Sequence, residues 1–279
     1  MTKIEPYWSP RHDMKDFRFS IRKEKREGFF DVSDVPESVM PFFSFVYLIE
    51  GEVLLEIEGQ TWLCQAGQVL LVPRNTPFKV LYFKGNYGYE CGFSIHAVKD
   101  LSYECLHITH PLLQSFRNEE ADFTAALLEH LLLARERKDE RMIASTLDLF
   151  LCRLEVLDGH PGNATVNQFL ERVFDRSRKL GKVADYAGEL CITPNYLNRL
   201  VRSQTGHSAM DWIEISRLNL AKSLLKQGKL QIAEIAVAVG IDDQSYFTRF
   251  FKNNEGCTPT QFRESSRNGQ NRISAQKAE

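Results

Sequence analysis

Tyr246-Phe247-Thr248-Arg249-Phe250-Phe251-Lys252, closing on Gly256, repeats a pattern met 50 positions earlier in Tyr196-Leu197-Asn198-Arg199-Leu200-Val201-Arg202, closing on Gly206. Each copy reads aromatic, apolar, polar, Arg, apolar, apolar, base, with Gly four residues on. At about 100° per residue the apolar positions share one face, while the polar residue and the Arg project from the other. The spacing predicts a short amphipathic helix with a basic, hydrogen-bonding edge, which is what a helix that reads DNA requires.

The residues before each copy also correspond. Tyr186-Ala187-Gly188-Glu189-Leu190-Cys191-Ile192 aligns with Ile235-Ala236-Val237-Ala238-Val239-Gly240-Ile241, and both read as the end of a helix followed by a tight turn. Thr193 before Pro194 is an N-cap with proline at the first helical position, and Asp242 or Asp243 serves the second copy. Gly240 suits the left-handed position that ends a helix. Two helix-turn-helix units in tandem follow. A generic helical bundle is the competing reading for either copy taken alone.

The run from Ile232-Ala233-Glu234-Ile235-Ala236 through Val239-Gly240-Ile241, Asp243-Gln244-Ser245-Tyr246-Phe247, Arg249, Phe251-Lys252, Gly256, Thr258-Pro259 and Phe262-Arg263 resembles the signature of AraC/XylS-type bacterial transcriptional regulators. The resemblance implies seven helices, two helix-turn-helix subdomains and a long connecting helix over about 209–226. It implies double-stranded DNA as partner, and RNA polymerase as a second partner reached through the second unit. Cys191 departs from the pattern in a slot that favours a left-handed residue, and Gln231 stands where Ser or Thr is the usual cap. Gly188 within a helix costs about 1 kcal/mol relative to Ala.

Helix geometry and the resemblance together assign Asn195, Asn198 and Arg199 to base edges and Arg202 to phosphate. Amide side chains pair with adenine and Arg with guanine. In the second unit Gln244, Ser245, Thr248 and Arg249 take the base edges and Lys252 the phosphate.

The 279 residues suffice for two domains. From residue 161 onward Lys and Arg outnumber Asp and Glu by 17 to 12, whereas before it they fall behind by 18 to 25. The basic half favours phosphate contact, and its specificity must come from base edges. Asp158-Gly159-His160-Pro161-Gly162-Asn163 breaks every periodicity. The expected organisation is therefore a sensing and dimerisation domain over 1–158, a linker over 159–164, a DNA-binding domain over 165–265 and a disordered polar tail over 266–279. Without a signal-type apolar run or a stretch long enough to span a bilayer, the chain reads as cytoplasmic, with no membrane partner. The six cysteines form no CxxC pair, and no disulfide is expected.

In the first half, alternation replaces helical periodicity between about residues 42 and 94. Turn signals recur at Glu50-Gly51, Glu58-Gly59-Gln60, Ala66-Gly67, Pro73-Arg74-Asn75-Thr76-Pro77 and Gly85-Asn86. That rhythm predicts an all-β barrel or jelly roll. The order Gly51-x-Val53-x-Leu55, Gly67-Gln68-Val69-Leu70-Leu71-Val72-Pro73, Pro77-Phe78 resembles the cupin-type sensor domain of AraC-type regulators. Cupin enzymes hold a metal through several His, yet no His occurs from Met14 to Ile95. Cys91, His96, Cys105, His107 and His110 lack the paired spacing of a zinc site. No metal, cofactor or catalytic residue is expected. Phe43, Phe45, Tyr47, Trp62, Phe78, Val80 and Tyr82 are the candidates to line an effector pocket, with Arg74 a charge partner for an acidic effector.

Leu-rich helices are predicted over 119–135 and 139–157, with more apolar surface than one sheet needs. An antiparallel pair forming a homodimer contact is one reading, and simple cover for the sheet is the other. The chain thus reads as a transcription regulator, an activator by preference, whose barrel senses a small molecule. A barrel that only assembles, or one that retains catalysis, stands as the alternative.

Overall fold

The computed structural model describes residues 18–25, 37–154, 163–175 and 181–266. The chain forms two compact units, the first ending at Asn167 and the second running on from Gln168.

The first unit is an antiparallel sheet of β1 (Phe19–Lys25), β2 (Ser38–Val39), β3 (Phe43–Ile57), β4 (Gln60–Gln65), β5 (Gln68–Val72), β6 (Pro77–Phe93) and β7 (Leu112–Ser115). The main order is β1-β6-β3-β5-β7, with β2 on β6 and β4 on β3. Strand β3 pairs β5 along its first half and β4 along its second, so two lobes of sheet share it.

Two of the five expected turns are not turns. The chain passes through Gly51 inside β3 and through Gly85-Asn86 inside β6, while the register shifts between Leu48 and Glu50 and between Glu50 and Glu52. Gly51 sits at φ +83°, and a Cβ there would lie 2.4 Å from the carbonyl oxygens of Lys84 and Gly85. Glycine is therefore used to bulge and bend a continuous strand, a role that its turn-forming tendency does not reveal.

Side chains of β3 alternate. Phe43, Phe45 and Tyr47 join Val69, Leu71, Cys91 and Phe93 in a core closed by Leu128 and Leu131 of α1 (Glu119–Glu136) and Leu147 and Phe150 of α2 (Glu140–Leu151). Asp139 caps α2 by accepting the Met142 N–H. This helix ends six residues short of the expected 157. Leu154 N–H instead donates to Leu151 O at 3.0 Å, a tighter turn than the α-helix. The expected linker falls mostly, and residues 267–279 of the expected tail wholly, outside the described residues.

Seven helices follow among the described residues: α3 (Ala164–Phe174), within which the boundary between the units falls, then α4 (Val183–Glu189), α5 (Pro194–Thr205), α6 (Ala209–Gln227), α7 (Ile232–Ala238), α8 (Gln244–Glu255) and α9 over 259–266. The connecting helix α6 falls within a residue of its expected bounds.

The internal repeat is also a structural one. Thr193 accepts from Tyr196 N–H and Asp243 from Tyr246 N–H, so α5 and α8 each start on a side-chain cap. Both end on a left-handed glycine, Gly206 or Gly256. Ile192 N–H donates to Ala187 O at 3.0 Å and Ile241 N–H to Ala236 O at 2.9 Å, closing both turns in the same way. The offset is 49 residues before the turn and 50 after it, because Asp242 lengthens the second turn by one. Cys191 and Gly240 occupy the same left-handed position, at φ +57° and +77°.

Candidate nucleic-acid interface

Leu197, Val201 and Thr205 bury one side of α5, and Phe247, Phe250 and Phe251 bury one side of α8. Their opposite faces carry corresponding exposed stripes. Asn195, Arg199 and Arg202 lie at i, i+4 and i+7 of α5, and Ser245, Arg249 and Lys252 repeat that spacing on α8. Gln244 is exposed at the first position of α8, while Thr248 is half-buried and donates its hydroxyl to Gln244 O at 2.9 Å. Seven of the nine expected DNA contacts are therefore exposed on α5 or α8.

Asn198 differs. It is half-buried, and its Oδ1 accepts the backbone N–H of Ala209 at 3.0 Å, so its carbonyl oxygen serves the start of α6. Two residues went unassigned in the sequence. Tyr196 is 43% and Tyr246 50% exposed beside the stripes, and the Arg199 guanidinium lies 5.5 Å from the Tyr196 ring centre. That stacking pre-orients Arg199. In the sequence both tyrosines mark only the aromatic start of the repeat, although their position one residue after Asn195 and Ser245 signals their exposure.

Residues 186–265 match a helix-turn-helix domain family, and residues 29–151 match the AraC-like ligand-binding domain family. The arabinose operon regulatory protein of Salmonella typhimurium is 28% identical over 231 residues, covering 77% of this chain and 81% of that protein. The arabinose operon regulatory protein of Escherichia coli is 41% identical over 81 residues, 29% of this chain and 28% of its own. Thermoregulatory protein LcrF of Yersinia pestis is 27% identical over 274 residues, covering 81% and 94%.

The chain belongs to the AraC family of transcriptional regulators. In this AraC-family chain the ligand-binding match takes in β2 to β7 with α1 and α2, and the helix-turn-helix match runs from within α4 to α9.

The sheet does not gather the expected effector residues into one place. Phe43, Phe45 and Tyr47 face α1 and α2, where Phe45 stacks on Phe150 at 4.6 Å and the Tyr47 hydroxyl donates to Ala121 O at 3.2 Å. They are core between sheet and helices. Trp62, Phe78 and Val80 share a face through the pairs Leu55–Trp62, Leu55–Val80 and Ile57–Phe78. The buried Trp62 Nε1 finds no acceptor among the described residues. Tyr82, opposite Leu54, points away from them and donates to Glu52 at 3.1 Å. Arg74 is exposed in a turn.

The face of β3 turned from the helices presents Val46 and Leu48 beside a polar group the sequence reading missed. Arg22 meets Glu90 at 2.6 Å and Glu24 at 3.1 Å, next to a recess of about 10 Å³, room for one water, lined by Glu24, Val46, Leu48 and Glu90. Its signal was the alternation of Arg22 and Glu24 along β1, in a segment not read as a strand.

Among the described residues no three or more His, Cys, Asp or Glu side chains converge as a metal site, and no helix is long and apolar enough to cross a membrane. Cys91 and Cys105 are buried, whereas His107 contacts Leu101 O at 2.8 Å and His110 lies 3.7 Å from Glu58.

Proposed function

We propose that this regulator acts by binding and not by catalysis, with each protomer reading two DNA boxes on one face of the double helix. The observation that carries the reading is the pair of corresponding stripes, Asn195–Arg199–Arg202 and Ser245–Arg249–Lys252. Each is mounted on a capped helix of the same length. The 19-residue α6 between the two helix-turn-helix motifs is about 28 Å long. Successive major grooves recur every ~34 Å, within reach of two helices held at its ends. Gln244, Thr248 and Tyr246 extend the second surface. Asn198 retains its amide Nδ2 for a base acceptor.

The ligand-binding domain senses a small molecule and pairs two protomers in the cytoplasm. A homodimer is favoured by an outer stripe on α1, where apolar Phe123, Ala126 and Leu133 are exposed at near-heptad spacing with His130 among them. Leu149 on α2 is 45% exposed, a further large apolar side chain without cover. Activation through RNA polymerase is the expected output.

Selection of bound genomic fragments by the purified protein tests the reading. It calls for a motif of two dissimilar boxes about one helical turn apart; sequence-blind, salt-sensitive binding would reject it.

A further inference from the structure

Lys222 of α6 is 1% exposed, a rare condition for a lysine, and its Nζ lies 2.5 Å from the Glu255 carboxylate at the last position of α8. The two groups form a close ion pair between α6 and α8. Fifty residues earlier, Thr205 holds the same last position of α5, and the Trp212 indole N–H donates to its hydroxyl at 3.0 Å. Both reading helices are thus fastened by the residue before their glycine cap, and both to the same helix.

The two fastenings differ in kind. Trp212–Thr205 is a neutral bond beside a ring packed on Phe174 and His207, at 6.1 and 5.4 Å. Lys222–Glu255 joins two charges at the rim of the apolar cluster of Leu218, Leu225, Phe247 and Phe251. Replacing a buried ion pair by apolar side chains is commonly neutral or stabilising, so such a pair contributes most through the geometry it enforces. Trp212 and Lys222 stand ten residues apart, about 15 Å along α6 and ~80° around it.

We propose that the Lys222–Glu255 pair is a positioning device that sets the register of the second reading helix, and through it the spacing of the two DNA boxes. This rests on the two-box reading above. One base pair of extra spacing moves the second box about 3.4 Å and turns it by roughly 34°, beyond what a clamped helix follows.

The test is binding of the full-length protein to one selected site with its spacer changed by one base pair in either direction. Wild type should prefer the natural spacer by about tenfold, a difference of ~1.4 kcal/mol. Lys222→Met with Glu255→Leu, and separately Glu255→Gln, should reduce that preference to about threefold or less, each shown to be folded by its thermal transition. A general loss of stability would weaken all spacers alike. Wild-type preference retained by either folded variant overturns the proposal. A wild type indifferent to spacing overturns the two-box reading and the proposal with it.

Discussion

Asn198 of α5 accepts the backbone N–H of Ala209, so a residue of the helix proposed to face DNA also caps α6, which connects the two helix-turn-helix motifs. The first N–H groups of a helix lack intrahelical partners, and Ser208 and Asp211 complete the set with a reciprocal box. Asn198→Ala should therefore lower thermal stability by about 0.5–2 kcal/mol in the absence of DNA. Unchanged unfolding with weaker DNA binding would mean that the residue serves the interface alone.

Arg199 and Lys252 separate two kinds of contact. Arg199→Ala should cost about 1–3 kcal/mol on the specific site and relax preference at one base pair, with little change on random DNA. Lys252→Ala should weaken both alike and flatten the dependence on salt. Titrations on matched and random duplexes at two salt concentrations distinguish them.

Cys191 holds a left-handed backbone at φ +57° where its counterpart in the second unit is Gly240. A Cβ in that region costs about 1–2 kcal/mol, so Cys191→Gly should stabilise the helix-turn-helix domain by about 1 kcal/mol after the added freedom of the unfolded chain is counted. Chemical denaturation followed by circular dichroism measures it.

Glu129 ties α1 to the sheet. Its carboxylate meets Lys23 Nζ at 2.7 Å and accepts the Tyr89 hydroxyl. Lys23, then Tyr89, hold its carboxyl below the usual value of 4.5. The folded protein therefore binds that proton less tightly than the unfolded chain, and the stabilisation is complete above about pH 4.5 and lost as pH falls through the lowered value. Glu129 in turn raises Lys23 above 10.5, and burial pushes Tyr89 up to about 12, so those contributions are full in neutral solution and lost above pH 10. Glu129→Gln should flatten the acid limb of a plot of melting temperature against pH; an unchanged limb would assign acid sensitivity elsewhere.

The exposed α1 stripe gives a further test. Leu133→Glu should convert a dimer into a monomer by light scattering while the circular dichroism spectrum of the folded chain is kept, because the side chain is 38% exposed. Persistence of the dimer would leave α1 as cover for the sheet.

The helical unit was legible to within a residue at α6 because capping, periodicity and the repeat all act locally. Thr193, Asp243 and Gly240 each do what their chemistry suggests. The sheet was less legible, since a glycine that turns the chain and one that bulges it have the same local signature, and only the approach of Lys84 and Gly85 to Gly51 distinguishes them. Phe43, Phe45 and Tyr47 show a second limit. Alternation places three aromatics on one face without revealing that helices cover it, because that depends on residues some 80–100 positions away. The Lys222–Glu255 pair lies beyond local reading for the same reason.

The central claim is that one protomer reads two boxes on one face of DNA. The most direct measurement inserts five base pairs, about half a helical turn, between the boxes of a selected site and compares affinities. Affinity should fall to that of a site with one box destroyed, a loss of roughly tenfold or more. Affinity unchanged by the insertion would contradict it.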